Sequence, residues 1–158
     1  GVLSPADLVR VDIPGALERY HVRGGDVLFR SRGDRFSALA LDSRWTEPAV
    51  AVLPLMILRP DPNLVSAAYL SWAINQPATQ RHLGASSYGT KMQMIPKSIL
   101  ADLEIDVPDL ATQRAIVAVA ELAERECSLV ARLAAKRLDR IRLALAERAV
   151  AGAERNRR

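Results

Sequence analysis

Two short polar stretches hold the side chains best suited to chemistry in this chain of 158 residues. The first, Arg30-Ser31-Arg32-Gly33-Asp34-Arg35, sets three guanidinium groups around a glycine at the end of the apolar run Val27-Leu28-Phe29. A guanidinium is a planar, permanently charged fork that bonds phosphate oxygens or the edge of guanine two at a time. The second stretch, Ser86-Ser87-Tyr88-Gly89-Thr90-Lys91-Met92-Gln93, offers hydroxyls, an aromatic ring, an ammonium and an amide. Such groups serve phosphate and adenine contacts. The candidate DNA-contacting residues are therefore Arg30, Ser31, Arg32, Arg35, Ser87, Tyr88, Thr90, Lys91 and Gln93. The alternative is a pair of ordinary solvated turns whose arginines pair with Asp26, Asp34 or Asp42. From the side chains alone both readings stand.

Signs of catalysis are sparse. His21 and His82 are the only histidines and Cys127 the only cysteine, so no zinc-ligand spacing arises and no intrachain disulfide can form. Gly24-Gly25 reads as a turn rather than a nucleotide loop. Asn75-Gln76-Pro77-Ala78 superficially resembles the Asn-Pro-Pro-aromatic motif of DNA methyltransferases. It lacks the aromatic residue that would stack on the target base, and a helix end explains it more simply. We expect no catalytic residue, no metal and no cofactor.

The elements that must position the two stretches follow from pattern. Residues 1–63 read as β-rich. Residues 9–13 alternate apolar and polar, residues 27–30 and 36–41 are short apolar strands, and residues 50–59 form a run interrupted at Pro54. Residues 64–75 switch to helical spacing, with Val65, Ala68, Tyr69 and Trp72 expected on one face. A shorter helical piece covers residues 78–83, a helical turn residues 96–103, and a last strand residues 103–107. Tyr69 and Trp72 are expected in the core, whereas Trp45 sits in a polar loop. The expected architecture is α+β, a β-rich body with short helices followed by one long C-terminal helix of coiled-coil type.

That helix is the strongest signal. Residues 111–151 lack Pro and Gly and are dense in Ala, Leu, Arg and Glu. Asp109 is the expected N-cap and Gly152 the expected stop. Ile116, Val119, Ala123, Cys127, Val130, Ala134, Leu138, Ile141 and Leu145 form one stripe whose steps repeat every eleven residues. Leu122, Leu129 and Leu133 form a shorter second edge, suited to docking on the rest of the chain. Cys127 is expected as a buried structural thiol. No second helix of this length exists in the sequence, so the stripe calls for another chain. Ile116, Val119, Ala123, Val130, Ala134, Leu138, Ile141 and Leu145 are the expected homodimer interface.

Charge divides the chain in the same place. Residues 1–110 hold 11 Lys/Arg and 12 Asp/Glu, a net of −1, whereas residues 111–158 hold 11 and 6, a net of +5. A body of net −1 is no general polyanion binder, so any nucleic-acid contact there is local. The longest apolar run, residues 49–58, is about half a membrane span and contains Pro54. We expect no membrane association and a reducing, cytoplasmic setting. The opening shows no leader pattern, and the start on Gly1 rather than Met reads as that of a fragment.

Residues 94–117 carry a more specific set. Gly89-Thr90, Ile95-Pro96-Lys97, Leu100, Leu103, Ile105, Pro108, Leu110, Gln113 and Ile116 resemble, in order and spacing, the junction between target-recognition domain and conserved helix in specificity subunits of type I restriction–modification enzymes. Upstream, Gly25-Asp26-Val27-Leu28-Phe29-Arg30-Ser31-Arg32-Gly33 is similar to that family's early strand and glycine turn. Residues 69–76 match its helix. The resemblance implies a target-recognition domain over residues 1–108, a spacer and dimerisation helix over 109–152, and a basic tail over 153–158. It implies a non-catalytic subunit that reads one half of a bipartite site in double-stranded DNA and holds adenine methyltransferase and restriction subunits in place. Family members carry two domains and two antiparallel helices on one chain, whereas this chain has one of each. A single-domain subunit working as a homodimer is the expectation. The rival is a dimeric scaffold or regulator that keeps the fold without reading DNA.

Overall fold

A computed structural model describes residues 3, 8, 9, 11, 12, 18–89 and 92–155, with side chains through residue 149. The architecture is α+β, and the chain divides into two units, Gly1–Val117 and Ala118–Arg158.

The first unit is built on β2, Val27–Arg30, the central strand of a three-stranded antiparallel sheet. Its neighbours are β3, Ala38–Ala40, and β5, Leu55–Leu58. Val27 and Phe29 project to one face and meet Phe36, Ala38, Ile74, Leu83, Ile95 and Leu100. Leu28 projects to the other and meets Leu41, Ala51, Trp45 and Ile57. Both faces are covered, which is why the strand reads as an unbroken apolar run. Trp45 is thus half-buried in the second cluster, with its indole nitrogen donating to the Glu47 carbonyl at 2.8 Å. A two-stranded ladder joins β1, His21–Val22, to β4, Ala49–Val50. The run interrupted at Pro54 is accordingly two strands, β4 and β5.

The strand expected over residues 9–13 lies partly outside the described residues. Val9 and Val11 are exposed and belong to no strand.

Three short helices cover the first face. They are α1, Ala67–Ile74, α2, Pro77–Ala85, and α3, Lys97–Ala101. Ser66 caps α1 by accepting from the Tyr69 amide at 3.2 Å, and Pro77 opens α2 at a position where no amide donor is needed. The buried face of α1 is Tyr69, Ser71, Ala73 and Ile74, rotated from the face expected. Ala68 is exposed and Trp72 half-buried. The rotation has a polar cause. Ser71 Oγ donates to the Ala38 carbonyl at 3.0 Å, Asn75 Nδ2 donates to the same oxygen at 2.7 Å, and Asn75 Oδ1 accepts from the Ala38 amide at 2.9 Å. The end of α1 is therefore sewn to the outer edge of β3, which accounts for Asn75 structurally. Residues 103–107 form no strand. Leu103 and Ile105 are half-buried and Glu104 and Asp106 exposed, so the alternation records one covered face without a ladder.

The helix α4, Leu110–Arg155, starts in the first unit. Asp109 caps it, Oδ1 accepting from the amides of Ala111 and Thr112 at 2.8 and 3.0 Å and Oδ2 from the Thr112 hydroxyl at 2.7 Å. Gln113 is completely buried. Its Oε1 accepts from the Ser66 amide at 2.9 Å, and its Nε2 donates to the carbonyls of Leu64 and Pro108 at 2.8 and 2.7 Å. One amide side chain thus fastens the first turn of α4 to the entrance of α1. The helix continues past Gly152, the expected stop, to Arg155.

In the second unit the apolar stripe is uncovered on a single chain. Val119, Val130, Leu138, Ile141 and Leu145 are 67%, 61%, 47%, 57% and 63% exposed. Ile116, in the first unit, is half-buried, and Ala123 and Ala134 are exposed. The shorter edge of Leu122, Leu129 and Leu133 is equally open. Cys127 is exposed too, against the expectation of a buried thiol, because the stripe that carries it is bare.

Candidate nucleic-acid interface

The two polar stretches lie 50 or more residues apart in sequence and are joined in space. Tyr88 and Met94 exchange both backbone hydrogen bonds, Tyr88 N to Met94 O at 3.0 Å and Met94 N to Tyr88 O at 2.9 Å, which closes the second stretch into a loop. On its other side Met94 forms an antiparallel bridge with Arg32. Gly33 N donates to Gln93 O at 3.1 Å and Ile95 N to Ser31 O at 2.9 Å. Arg32, Met94 and Tyr88 are therefore adjacent rungs, and side chains of bridged residues leave on the same face. The alternation agrees. Ser31 and Ile95, the chain neighbours, point inward and are 1% and 0% exposed.

Outward stands a row of a guanidinium, a thioether and a phenol. Tyr88 is 62% and Met94 36% exposed, and Arg32, Met92 and Gln93 are exposed beside them. Glycine geometry holds both bends. Gly89 has φ 112°, and a Cβ there would strike the Met92 carbonyl oxygen. Gly33 has φ 114°, and a Cβ there would lie 2.8 Å from Arg30 Nη2. Both conformations suit glycine alone. The bare Gly33 lets Arg30 fold across the turn, where its Nε donates to the Arg32 carbonyl at 3.0 Å.

One expected contact is corrected, and a second is half-covered. Ser31 is buried, with Oγ donating to the Pro54 carbonyl at 2.7 Å. It is a pin beneath the loop, not a ligand. Ser87 is half-buried and donates through Oγ to the Gly84 carbonyl at 2.7 Å, so it finishes α2. Arg30, Arg32, Arg35, Tyr88 and Gln93 are exposed. Thr90 and Lys91 lie outside the described residues.

The charges sort as follows. Asp26, buried, is taken by Arg59 at 3.2 Å and by Arg23 at 3.9 Å. Asp42 is taken by Arg44 at 2.9 Å, and the hydrogen bond from the Arg44 side chain is the main cause that pushes its carboxyl down to about 2. Two of the three carboxylates considered as partners for the loop arginines, Asp26 and Asp42, are thus occupied elsewhere, and the third, Asp34, is exposed within the loop itself. Among the described residues Arg30, Arg32 and Arg35 form no ion pair. Three cations and one carboxylate, Asp34, therefore share this loop on a body whose total charge is −1.

Sequence reasoning missed Met94, which no signal in the sequence marks, since its exposure beside buried Ile95 is visible only in the structure. It also missed a groove of about 560 Å³ between α1, α2 and residues 102–106. Tyr69, Trp72 and His82 line it, and Asp102, Glu104 and Asp106 rim it. Those carboxylates repel phosphate, so the groove is no part of a DNA-binding face. Among the described residues no cluster of His, Cys, Asp or Glu has the makeup of a metal site, and no helix is long and apolar enough to cross a membrane. No known protein family and no curated protein matches the chain.

Proposed function

We propose that this chain is a non-catalytic, sequence-specific DNA-recognition subunit that reads one half of a bipartite target for a type I restriction–modification complex in the cytoplasm. The observation that carries the reading is the Arg32–Met94–Tyr88 row, with Arg30 folded across Gly33 next to Arg32. It combines cations that form no ion pair among the described residues with an aromatic edge and an apolar contact suited to a thymine methyl, and backbone bridges fix Arg32, Met94 and Tyr88 in one row. The resemblance of residues 94–117 to the recognition-domain junction adds the partners, a methyltransferase and a restriction subunit. The bare stripe of α4 adds a second copy of this chain.

Selection from a random duplex pool, followed by salt titration of the winner against a scrambled duplex, tests the proposal. A recognition subunit prefers one sequence and loses affinity as salt rises. Equal binding to both duplexes, or none, favours the second reading, a dimeric scaffold. The net −1 of residues 1–110 is the observation on that side.

A further inference from the structure

Three loops leave one end of the three-stranded sheet together. Arg30, the last residue of β2, pairs with Leu55, the first residue of β5, so the stretch after β2 and the turn before β5 emerge side by side. The two are bonded beyond the sheet as well. The Pro54 carbonyl accepts from the Ser31 amide at 2.9 Å and from the Ser31 hydroxyl at 2.7 Å. The bridges from Arg32 to Met94 and from Met94 to Tyr88 bring the third loop to the same end.

The turn before β5 is apolar and bare. Leu55 N donates to the Val52 carbonyl at 2.9 Å, which closes Val52-Leu53-Pro54-Leu55 into a four-residue turn. Leu53 is 70% exposed and Val52 54%. The turn is also stiff, because a ring fixes the Pro54 backbone and Ser31 holds its carbonyl twice. Tyr88, Met92 and Met94 are exposed on the third loop. Apolar side chains thus stand in the open around Arg30 and Arg32, which form no ion pair among the described residues.

That mixture selects the partner. Exposed apolar side chains gain nothing from phosphate oxygens, and guanidinium groups without carboxylates gain nothing from an apolar protein face. A DNA duplex satisfies both, since its phosphates take the cations and its stacked bases offer apolar faces once a step is opened. Leucine is among the wedges that proteins drive between base steps, unstacking them and kinking the duplex. Backbones bonded as at Ser31 and Pro54 lie about 5 Å apart, the height of one to two base-pair steps. Leu53 is therefore in reach of the stack next to the bases that Arg32 meets.

We infer that Leu53 is a wedge that enters the base stack beside the bases read by the Arg32–Met94–Tyr88 row. The target then holds an easily opened pyrimidine–purine step at that place, chosen by its deformability. This rests on the DNA reading proposed above and adds a second kind of selectivity to it.

The full chain and its selected duplex test the wedge, with 2-aminopurine at successive positions as a reporter that brightens on unstacking. Wild type should brighten one step. Leu53→Ala should abolish that signal and weaken binding about tenfold, the burial of one leucine less the cost of unstacking. Leu53→Met, which keeps the volume, should retain both. A mismatch at the brightened step lowers the cost of opening it, so it should tighten wild type several-fold and leave Leu53→Ala unchanged. Because Leu53 is exposed, the urea midpoint of Leu53→Ala should match wild type. A Leu53→Ala chain that binds and brightens DNA as wild type does overturns the wedge, as does wild type that binds its selected duplex and brightens no step. Leu53→Ala that keeps DNA affinity but no longer joins a methyltransferase subunit also overturns it, and makes the turn a protein contact. Wild type without any sequence preference is a different failure, because it removes the DNA reading itself and the wedge with it.

Discussion

Ser31 and Arg32 are chain neighbours whose side chains leave the backbone on opposite sides of a bridge. Arg32→Ala should weaken binding to the selected duplex by about 1–3 kcal/mol if it meets bases, with the fold intact. Ser31→Ala should do the converse. It removes a bond to the Pro54 carbonyl that also accepts from the Ser31 amide, so stability falls by about 1 kcal/mol while the folded chain keeps its DNA affinity. Anisotropy titrations beside urea curves separate the two effects, and a Ser31→Ala chain that folds normally but loses DNA would return the hydroxyl to the binding surface. Gln113 is the more consequential buried side chain. Its truncation to Ala strands the Ser66 amide and the carbonyls of Leu64 and Pro108, and should cost about 3 kcal/mol, read from the shift in urea midpoint. These positions mark how far single residues were legible. The arginines were visible as unusual in the sequence. Ser31 was not, because inward and outward hydroxyls have the same letter and only the register of β2 tells them apart.

At the scale of elements, β2, α1, α2 and α4 follow from composition and period, and Asp109 caps α4 as its place after Pro108 implies. The misses have separate causes. Alternation over residues 103–107 suggests a strand, yet alternation reports a covered face and not the ladder that defines a strand. The face of α1 was misplaced because Ser71 is buried by a hydrogen bond that no hydrophobic count includes. The joining of residues 30–35 to 86–94 rests on single-residue bridges, which leave no period to read. The cap carries its own prediction. The hydroxyl of Thr112, with the amides of Thr112 and Ala111, holds the Asp109 carboxyl below its ordinary value. A depressed carboxyl stabilises the fold above the unfolded-state value and loses that contribution as pH falls through the folded one. Wild type should therefore exceed Asp109→Ala in urea midpoint at neutral pH, and the gap should close in acid below the usual carboxylate range. A gap that persists there would leave the charge no part in capping.

For the whole molecule, α4 sets the terms. Each large side chain of the stripe contributes about 1.5–3 kcal/mol when covered, so a bare helix face is a strong drive toward association. Val130→Glu with Leu138→Glu should leave monomers in light scattering and, with them, a large loss of affinity for a bipartite site. A double variant that remains dimeric places the contact off the stripe. The edge of β3 is capped at Ala38 by contrast, and the reason is Asn75. The outward amide and carbonyl of Ala38 are the groups that an incoming strand would use to extend the sheet, and the carboxamide of Asn75 already bonds both. One side chain stands where the next strand would begin. An open sheet edge is a template for fibril growth, and here it is stoppered by a residue at a helix end. A chain with one bare apolar face gains from keeping its other adhesive surfaces shut, and at Ala38 two hydrogen bonds occupy the groups that amyloid-like stacking would use.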